Sequence, residues 1–199
     1  MNQRSKKLER ESTVKNTFLK PHLWRKINNL NPGHHACYIF NTKHEHRAVI
    51  SAFILRGIEL NQKVIYIADL PAFRSIADYV SSEGREIEKY MAQGQLRLLT
   101  AKAVYLQHEV FDPDKMIDFL HAEIDRALEE GYTALRITGE MKWVLKGLPG
   151  SDRLVEYESK LKTSLRGSKC VALCQYDKRL FDTDLLNTVA ELHPYTLQG

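Results

Sequence analysis

The sequence predicts an α/β domain, a three-layer sandwich in which helices cover both faces of a mainly parallel central sheet. Two observations predict it. Short runs rich in strand-forming residues alternate along the chain with longer segments of helical periodicity. Most of the short runs are apolar throughout, which is typical of strands covered on both faces. A sheet built from such alternating units is expected to be mainly parallel.

The first half of the chain is predicted to begin with a short helix at residues 19–30. Pro21 is tolerated in its first turn, and the turn Asn31-Pro32-Gly33 ends it. The predicted elements that follow are a strand at 36–40, a helix at 47–60, a strand at 63–68, helices at 72–80 and 85–93, and a strand at 95–100.

The second half is predicted to begin with a long helix from 112 to about 130. Asp112 and Pro113 are typical of a helix start, and Gly131 of its end. The remaining predicted elements are a strand at 134–138, a short helix around Trp143, a helix at 152–165, a strand at 169–175 and a closing helix at 182–192.

Length and composition favour one compact domain. The 199 residues are 43% hydrophobic and 27% charged, which excludes collagen-like, low-complexity and wholly disordered classes. We divide the chain into a basic N-terminal arm with the short helix, residues 1–30, and a domain over residues 31–199. Three cysteines cannot all pair within one chain, and we recognise no signal peptide, so a cytoplasmic location is expected. No apolar run reaches transmembrane length, so no membrane is expected.

The positive charge is concentrated at the N-terminus. Residues 1–26 contain eight Lys or Arg and two Glu, while the rest of the chain has a net charge of −2. A basic arm can bind nucleic acid or anionic lipid. Because no helix-turn-helix or zinc module accompanies it, we favour a solvated leader over a DNA-binding arm.

The loop after the first strand, residues 41–46, contains no glycine. A phosphate cradle needs inward-turned backbone N–H groups, which usually require glycine, and a lysine followed by Ser or Thr. Thr42 and Glu45 instead have the spacing of a capping box. The helix start can still attract an anion, and Lys43 and His46 would strengthen its positive field.

Histidines near the first strand raise the possibility of a metal site. His34, His35, His44 and His46 are close in sequence, and Cys37 is the nearest thiol. This spacing is weak evidence for a tetrahedral site, so no metal and no cofactor are expected. Two further thiols, at positions 170 and 174, lie four residues apart on a strand, face one side of it and are expected to be core residues.

Polar side chains at the carboxyl ends of the predicted strands mark the expected binding region. In open parallel sheets, ligands bind outside this edge. The segments that reach it are residues 41–46, Asp69, and residues 100–108, 139–143 and 176–179.

Several sequence runs, in order, resemble the MEDS family, the methanogen/methylotroph DcmR sensory domain. The resemblance covers residues 32–198. The runs that carry it are HHACYIF at 34–40, FILRG at 53–57, VIYI at 64–67, TGEMKW at 138–143, LVEYE at 154–158, CQYDKRLF at 174–181 and His193-Pro194.

The resemblance implies a RecA/KaiC-like fold that lacks the phosphate loop. It also implies a sensory module in prokaryotic signal transduction or transcriptional regulation that recognises one-carbon compounds or other simple hydrocarbon derivatives. Members are often joined to DNA-binding or histidine-kinase modules. No such module is visible here, so the output is expected to pass through a signalling protein partner or a homodimer.

We expect the ligand to contact a few polar and aromatic residues near the strand ends. Glu140 could accept a hydrogen bond from an alcohol or pair with an amine, beside an apolar wall of Met141 and Trp143. Tyr176 could donate a hydrogen bond, and Asp177 could orient a neighbour. The full candidate set is His35, Tyr38, Asn41, His44, Glu45, Glu140, Met141, Trp143, Tyr176 and Asp177.

Packing and capping roles remain open for the same residues. Trp143 is equally typical of a core, and Asp177 of a turn cap or a pair with Arg179. Glu158 has the spacing to pair with Lys162 on a helix surface. His193, before a proline, has the position of a residue that ends a helix.

We therefore expect a non-enzymatic sensor for a small organic ligand. The alternative is a degenerate RecA-like nucleotide-binding protein or ATPase, in which Glu140 would occupy the place of a Walker-B-like acid. The missing glycines count against the alternative.

Overall fold

A computed structural model describes residues 19–106 and 110–198 of the chain. Most of the basic arm and the end of the predicted 100–108 loop lie outside the described residues. The described strands are β1 (His35–Phe40), β2 (Lys63–Ile67), β3 (Leu96–Leu99), β4 (Leu135–Glu140), β5 (Cys170–Asp177) and β6 (Tyr195–Gln198). The described helices are α1 (Pro21–Asn28), α2 (Lys43–Glu59), α3 (Leu70–Ser82), α4 (Glu88–Ala92), α5 (Ala101–Val104), α6 (Pro113–Glu129), α7 (Leu154–Ser164) and α8 (Thr183–Leu192), with 3₁₀ turns at Met141–Lys146 and Ser151–Arg153.

The described strands form one sheet in the order β3-β2-β4-β5-β1-β6. Every neighbouring pair in it is parallel. This arrangement confirms the predicted α/β class, and it brings the carboxyl ends of β1, β2, β4 and β5 to one edge of the sheet.

Two apolar cores cover the two faces of the sheet. Helices α1, α2 and α3 pack on one face, and α6, α7 and α8 pack on the other. Strand β5 contributes side chains to both cores, because alternate side chains of a strand point to opposite faces. Val171 and Leu173 lie in the first core, and Cys170 and Cys174 lie together in the second, as predicted for the two thiols.

Several boundaries differ from the predicted ones. Strand β6 was not predicted, because it has only four residues and only Leu197 among them is buried. The predicted helix at 85–93 is reduced to the five residues of α4. The segment around Trp143 forms a 3₁₀ helix, which Gly147 ends in the left-handed conformation with φ 62°.

Helix α1 belongs to the first core. Its side chains Leu23 and Ile27 are fully buried there. A buried guanidinium fixes the chain just after the helix, because Arg136 donates hydrogen bonds to the Leu30 carbonyl at 3.3 Å and to the side chain of Gln62 at 2.6 Å. The division of the chain after residue 30 stays a prediction.

No helix among the described residues combines the length and the apolar character needed to cross a membrane.

Candidate functional site

A cleft with a volume of about 320 Å³ lies at the carboxyl edge of the sheet. The ends of β1, β2, β4 and β5 meet there with the first turns of α2 and α3. Both helix starts are capped by side chains, since Thr42 accepts from the Glu45 amide at 3.2 Å and Asp69 from the Ala72 amide at 2.9 Å. The residues on which its chemistry depends are Lys43, His46, Asp69, Glu140, Lys142 and Asp177.

One wall of the cleft holds two carboxylates that share one ammonium. Lys142 Nζ lies 2.9 Å from Asp69 Oδ2 and 2.5 Å from Glu140 Oε2. Burial would lower the pKa of Lys142, but its hydrogen bonds to Glu140 and Asp69 outweigh burial and raise it. Glu140 is buried and also accepts a hydrogen bond from Tyr66 at 3.3 Å. The Lys142 ammonium therefore balances the negative charge of both carboxylates on this wall.

The opposite wall is formed by Asp177 and Arg179. The guanidinium of Arg179 makes two hydrogen bonds to the carboxylate, at 2.8 and 2.5 Å, and the Arg179 amide donates to Oδ1 at 3.0 Å. Asp177 therefore combines the predicted arginine pair with the predicted turn cap. Burial would raise the pKa of the Asp177 carboxyl, but the hydrogen bonds from Arg179 hold it below its usual value.

A chain of buried polar groups forms the floor. The Thr138 hydroxyl donates to the Leu173 carbonyl at 2.7 Å and accepts from the Gln175 amide nitrogen at 2.7 Å. The Gln175 oxygen therefore faces His46 and accepts from its Nε2 at 2.6 Å. Burial lowers the pKa of His46, so the ring is neutral at pH 7.

The loop between β1 and α2 does not form a phosphate cradle. None of residues 41–46 has a positive φ. Successive backbone N–H groups therefore do not form the concave nest that binds phosphate in P-loop proteins. The Glu45 amide is instead satisfied by Thr42, as the predicted capping box requires.

Seven of the ten predicted site residues lie in or beside the cleft or directly behind it. Glu140 and Asp177 line the cleft, and Asn41, His44 and Glu45 lie at the start of α2 beside it. Met141 and Trp143 lie behind the cleft in the second core. The Trp143 ring lies 4.9 Å from the ring of Tyr105 and 4.5 Å from that of Phe111, measured between centroids.

The other three predicted residues lie away from the cleft lining. Tyr38 is fully buried against α2, and burial raises the pKa of its phenol. His35 and Tyr176 lie in the second core, on the opposite face of the sheet from α2, where both contact Glu158.

Glu158 corrects one expectation. It does not pair with Lys162 on the helix surface: its side chain is fully buried and accepts a hydrogen bond from Tyr176. The signal was present in the sequence, because Leu154, Tyr157 and Leu161 surround position 158 on the apolar face of the helix.

Lys142 and Gln175 line the cleft but were not predicted as site residues. The available signal was their position at the strand ends, since Lys142 comes two residues after Glu140 and Gln175 lies between Cys174 and Tyr176. The potential metal ligands that lie together in the structure differ from the set that the sequence suggested. His44 is exposed, whereas His35 lies with Cys174, Glu158 and His193.

Comparisons with solved structures show the same fold in two archaeal proteins. The crystal structure of a KaiC-like protein from Pyrococcus horikoshii is similar with a TM-score of 0.54 and 13% identity, over 84% of this chain and 72% of that one. The flagellar accessory protein FlaH from Methanocaldococcus jannaschii is similar with a TM-score of 0.58 and 13% identity, over 89% of this chain and 76% of that one. At this identity the similarity establishes the fold.

No curated protein matches the sequence. A family match does cover most of it: residues 34–194 match MEDS, the methanogen/methylotroph DcmR sensory domain. The match begins at the first residue of the run HHACYIF and ends at Pro194. With the KaiC-like fold and the glycine-free loop described above, this match shows that the chain belongs to the MEDS family of sensory domains.

Proposed function

We propose that this protein is a non-enzymatic sensory domain that binds a small alcohol or amine in the cleft at the carboxyl edge of the sheet. The observation that carries the proposal is the shared position of Lys142 Nζ between the carboxylates of Asp69 and Glu140. A ligand N–H or O–H donor can make the same hydrogen bonds to Glu140 as this ammonium does.

The dimensions of the cleft favour a small ligand. A volume of about 320 Å³ lies at the lower end of the range of small-molecule pockets. A compound of a few atoms has little surface, so it needs nearly complete enclosure and at least one charge-assisted hydrogen bond to bind usefully. Glu140, buried at the end of β4, supplies such an acceptor.

A route from ligand to output follows from the position of Lys142. This residue lies in the first turn of the 3₁₀ helix Met141–Lys146, next to Trp143. A ligand that replaces the Lys142 ammonium at Glu140 releases the lysine and changes the forces on this turn. The ligand then shifts the population between two arrangements of the turn by its difference in affinity for them. We propose that a signalling protein or a second copy of the chain reads that change.

The second candidate function is nucleotide binding. The similarity to a KaiC-like protein favours it, as do Lys43 and Arg47 beside the cleft. The conformation of residues 41–46 counts against it, since this loop has no positive φ. We therefore rank nucleotide binding second.

The test is a thermal-shift and calorimetric screen of the purified full chain. The ligands are alcohols, amines, thiols and halomethanes of one to three carbons, with ATP and magnesium in parallel. We expect stabilisation by an alcohol or amine, no ATP hydrolysis, and loss of the stabilisation in Glu140→Gln. The matched control is Glu156→Gln, which removes a carboxylate on the surface of α7.

Two results would contradict the proposal. Stabilisation by magnesium-ATP alone, abolished by Lys43→Ala, would establish the nucleotide-binding alternative. Stabilisation by an organic compound that is equally strong in Glu140→Gln and in the wild-type protein would show that the ligand does not bind at Glu140.

A further inference from the structure

We propose that His35, Glu158, Cys174 and His193 form a buried binding site for a zinc ion. They come from four parts of the chain: strand β1, helix α7, strand β5 and the residue that follows α8. One potential ligand atom from each residue lies within 4.8 Å of those of the other three. The site lies on the face of the sheet opposite α2 and is distinct from the cleft, so it goes beyond the proposed sensory function.

Four of the six distances between the ligand atoms are close to the edges of a tetrahedral zinc site. Glu158 Oε2 lies 3.1 Å from His35 Nε2 and 3.2 Å from His193 Nε2. The thiol sulfur of Cys174 lies 3.5 Å from His35 Nε2 and 3.6 Å from Glu158 Oε2. Bonds of about 2.0–2.1 Å to nitrogen and oxygen and about 2.3 Å to sulfur give ligand separations of roughly 3.3–3.6 Å in a tetrahedron with one sulfur.

The orientation of the His193 ring favours a cation at the centre of the four side chains. Its Nδ1 lies 2.6 Å from the Val189 carbonyl oxygen, which can only accept, so Nδ1 carries a proton. In the neutral ring, Nε2 then presents a lone pair toward the Glu158 carboxylate. Two facing lone pairs repel each other in a dry interior, and a metal ion or a second proton removes that repulsion. His193 Nε2 has no hydrogen-bond partner among the described residues.

The charge of a bound divalent ion would balance the charges of its four ligands. All four side chains are more than nine-tenths buried. A divalent ion with one carboxylate, one thiolate and two neutral imidazoles has no net charge, which suits complete burial.

Partners outside the cluster hold two of the four ligands, Glu158 and His193, in place. Tyr176 donates to Glu158 Oε1, which leaves Oε2 toward the centre of the cluster, and Val189 fixes the tautomer of His193. Such hydrogen bonds to the far side of ligands are typical of metal sites. A mixed set of imidazole, thiolate and carboxylate favours zinc over magnesium or calcium.

The test measures metal in the full chain, purified without a histidine tag. Elemental analysis by mass spectrometry is expected to find about one zinc ion per chain. Protein expressed in cobalt-supplemented medium is expected to show the intense visible bands of tetrahedral cobalt(II) and a thiolate-to-cobalt charge-transfer band. Because the site is buried, we expect chelator to remove the metal only when the protein unfolds.

Two buried-thiol variants form the matched comparison. Cys174→Ser is expected to reduce bound metal at least about tenfold and to abolish the thiolate band. Cys170→Ser removes a thiol that is buried on the same face of β5 but lies outside the cluster, and it should keep both. Any one of three results would overturn the proposal. They are wild-type protein without stoichiometric metal, cobalt spectra without a thiolate band, and equal metal content in the two variants. The cluster would then be a proton-stabilised ion pair.

Discussion

His35 Nε2 lies 3.1 Å from the Glu158 carboxylate, and this contact joins the first strand of the sheet to helix α7. Both side chains are almost completely buried. The same carboxylate faces His193 and accepts from Tyr176. A single acidic residue thus connects the beginning, the middle and the end of the domain through polar contacts inside an apolar core.

Removing that carboxylate is expected to destabilise the domain. Glu158→Gln replaces the carboxylate that His35, His193 and Tyr176 contact with a neutral amide, and breaking a buried charged contact in this way typically costs about 3–5 kcal/mol. Chemical denaturation at pH 7 with chelator present measures the change in the free energy of unfolding. Glu156→Gln, two residues away and partly exposed, is the control and should have a much smaller effect. Equal effects of the two substitutions would refute the prediction.

His46 is expected to make the domain less stable in acid. Burial lowers the pKa of His46 below its ordinary value of 6.5. The unfolded chain therefore binds a proton at this ring before the folded protein does, so stability falls as the pH drops below 6.5. The groups around the ring are Gln175, Glu140, Lys142 and Asp177.

The measurement is the denaturation midpoint of wild-type protein and His46→Gln at pH 7 and pH 5.5. We expect the wild-type midpoint to fall more than that of the variant, because the other titrating groups are common to both. Identical pH dependence in the two proteins would show that His46 does not contribute.

Gly139→Ala is expected to overpack the part of the second core that lies behind the cleft. A Cβ atom at this position would lie 2.3 Å from the hydroxyl oxygen of Tyr105, whose ring is held against Trp143. Overpacking of this kind costs about 1–3 kcal/mol. In a double-mutant cycle, Tyr105→Phe should recover part of the loss because it removes the clashing oxygen. Additive effects of the two substitutions would contradict this account.

Thr138→Val is expected to weaken the floor of the cleft. It removes the acceptor of the Gln175 amide, and a buried donor left without a partner costs about 1–3 kcal/mol. Thr163→Val, on the exposed surface of α7, is the control and should change stability by less than about 0.5 kcal/mol. The measurement is the midpoint of chemical unfolding for each protein. An unchanged midpoint in Thr138→Val would mean that the Gln175 amide has found another hydrogen-bond partner.

The sequence alone determined the fold class and most of the elements. Apolar runs such as residues 63–68 predict buried strands wherever they occur, and Asp112-Pro113 predicts a helix start, because these signals depend on residues close together in the chain. The glycine-free loop at 41–46 likewise predicted the absence of a phosphate cradle, which the backbone of these residues confirms.

Only the tertiary structure decided which polar residues meet. Local spacing placed Glu158 beside Lys162, whereas the packing of α7 on the sheet placed it beside His35 and His193. Trp143 and Glu140 are three positions apart in the sequence, yet Trp143 packs in the second core and Glu140 lines the cleft. The reason is physical: side-chain direction and helix docking depend on contacts between distant segments, and the pattern of any one segment does not contain them.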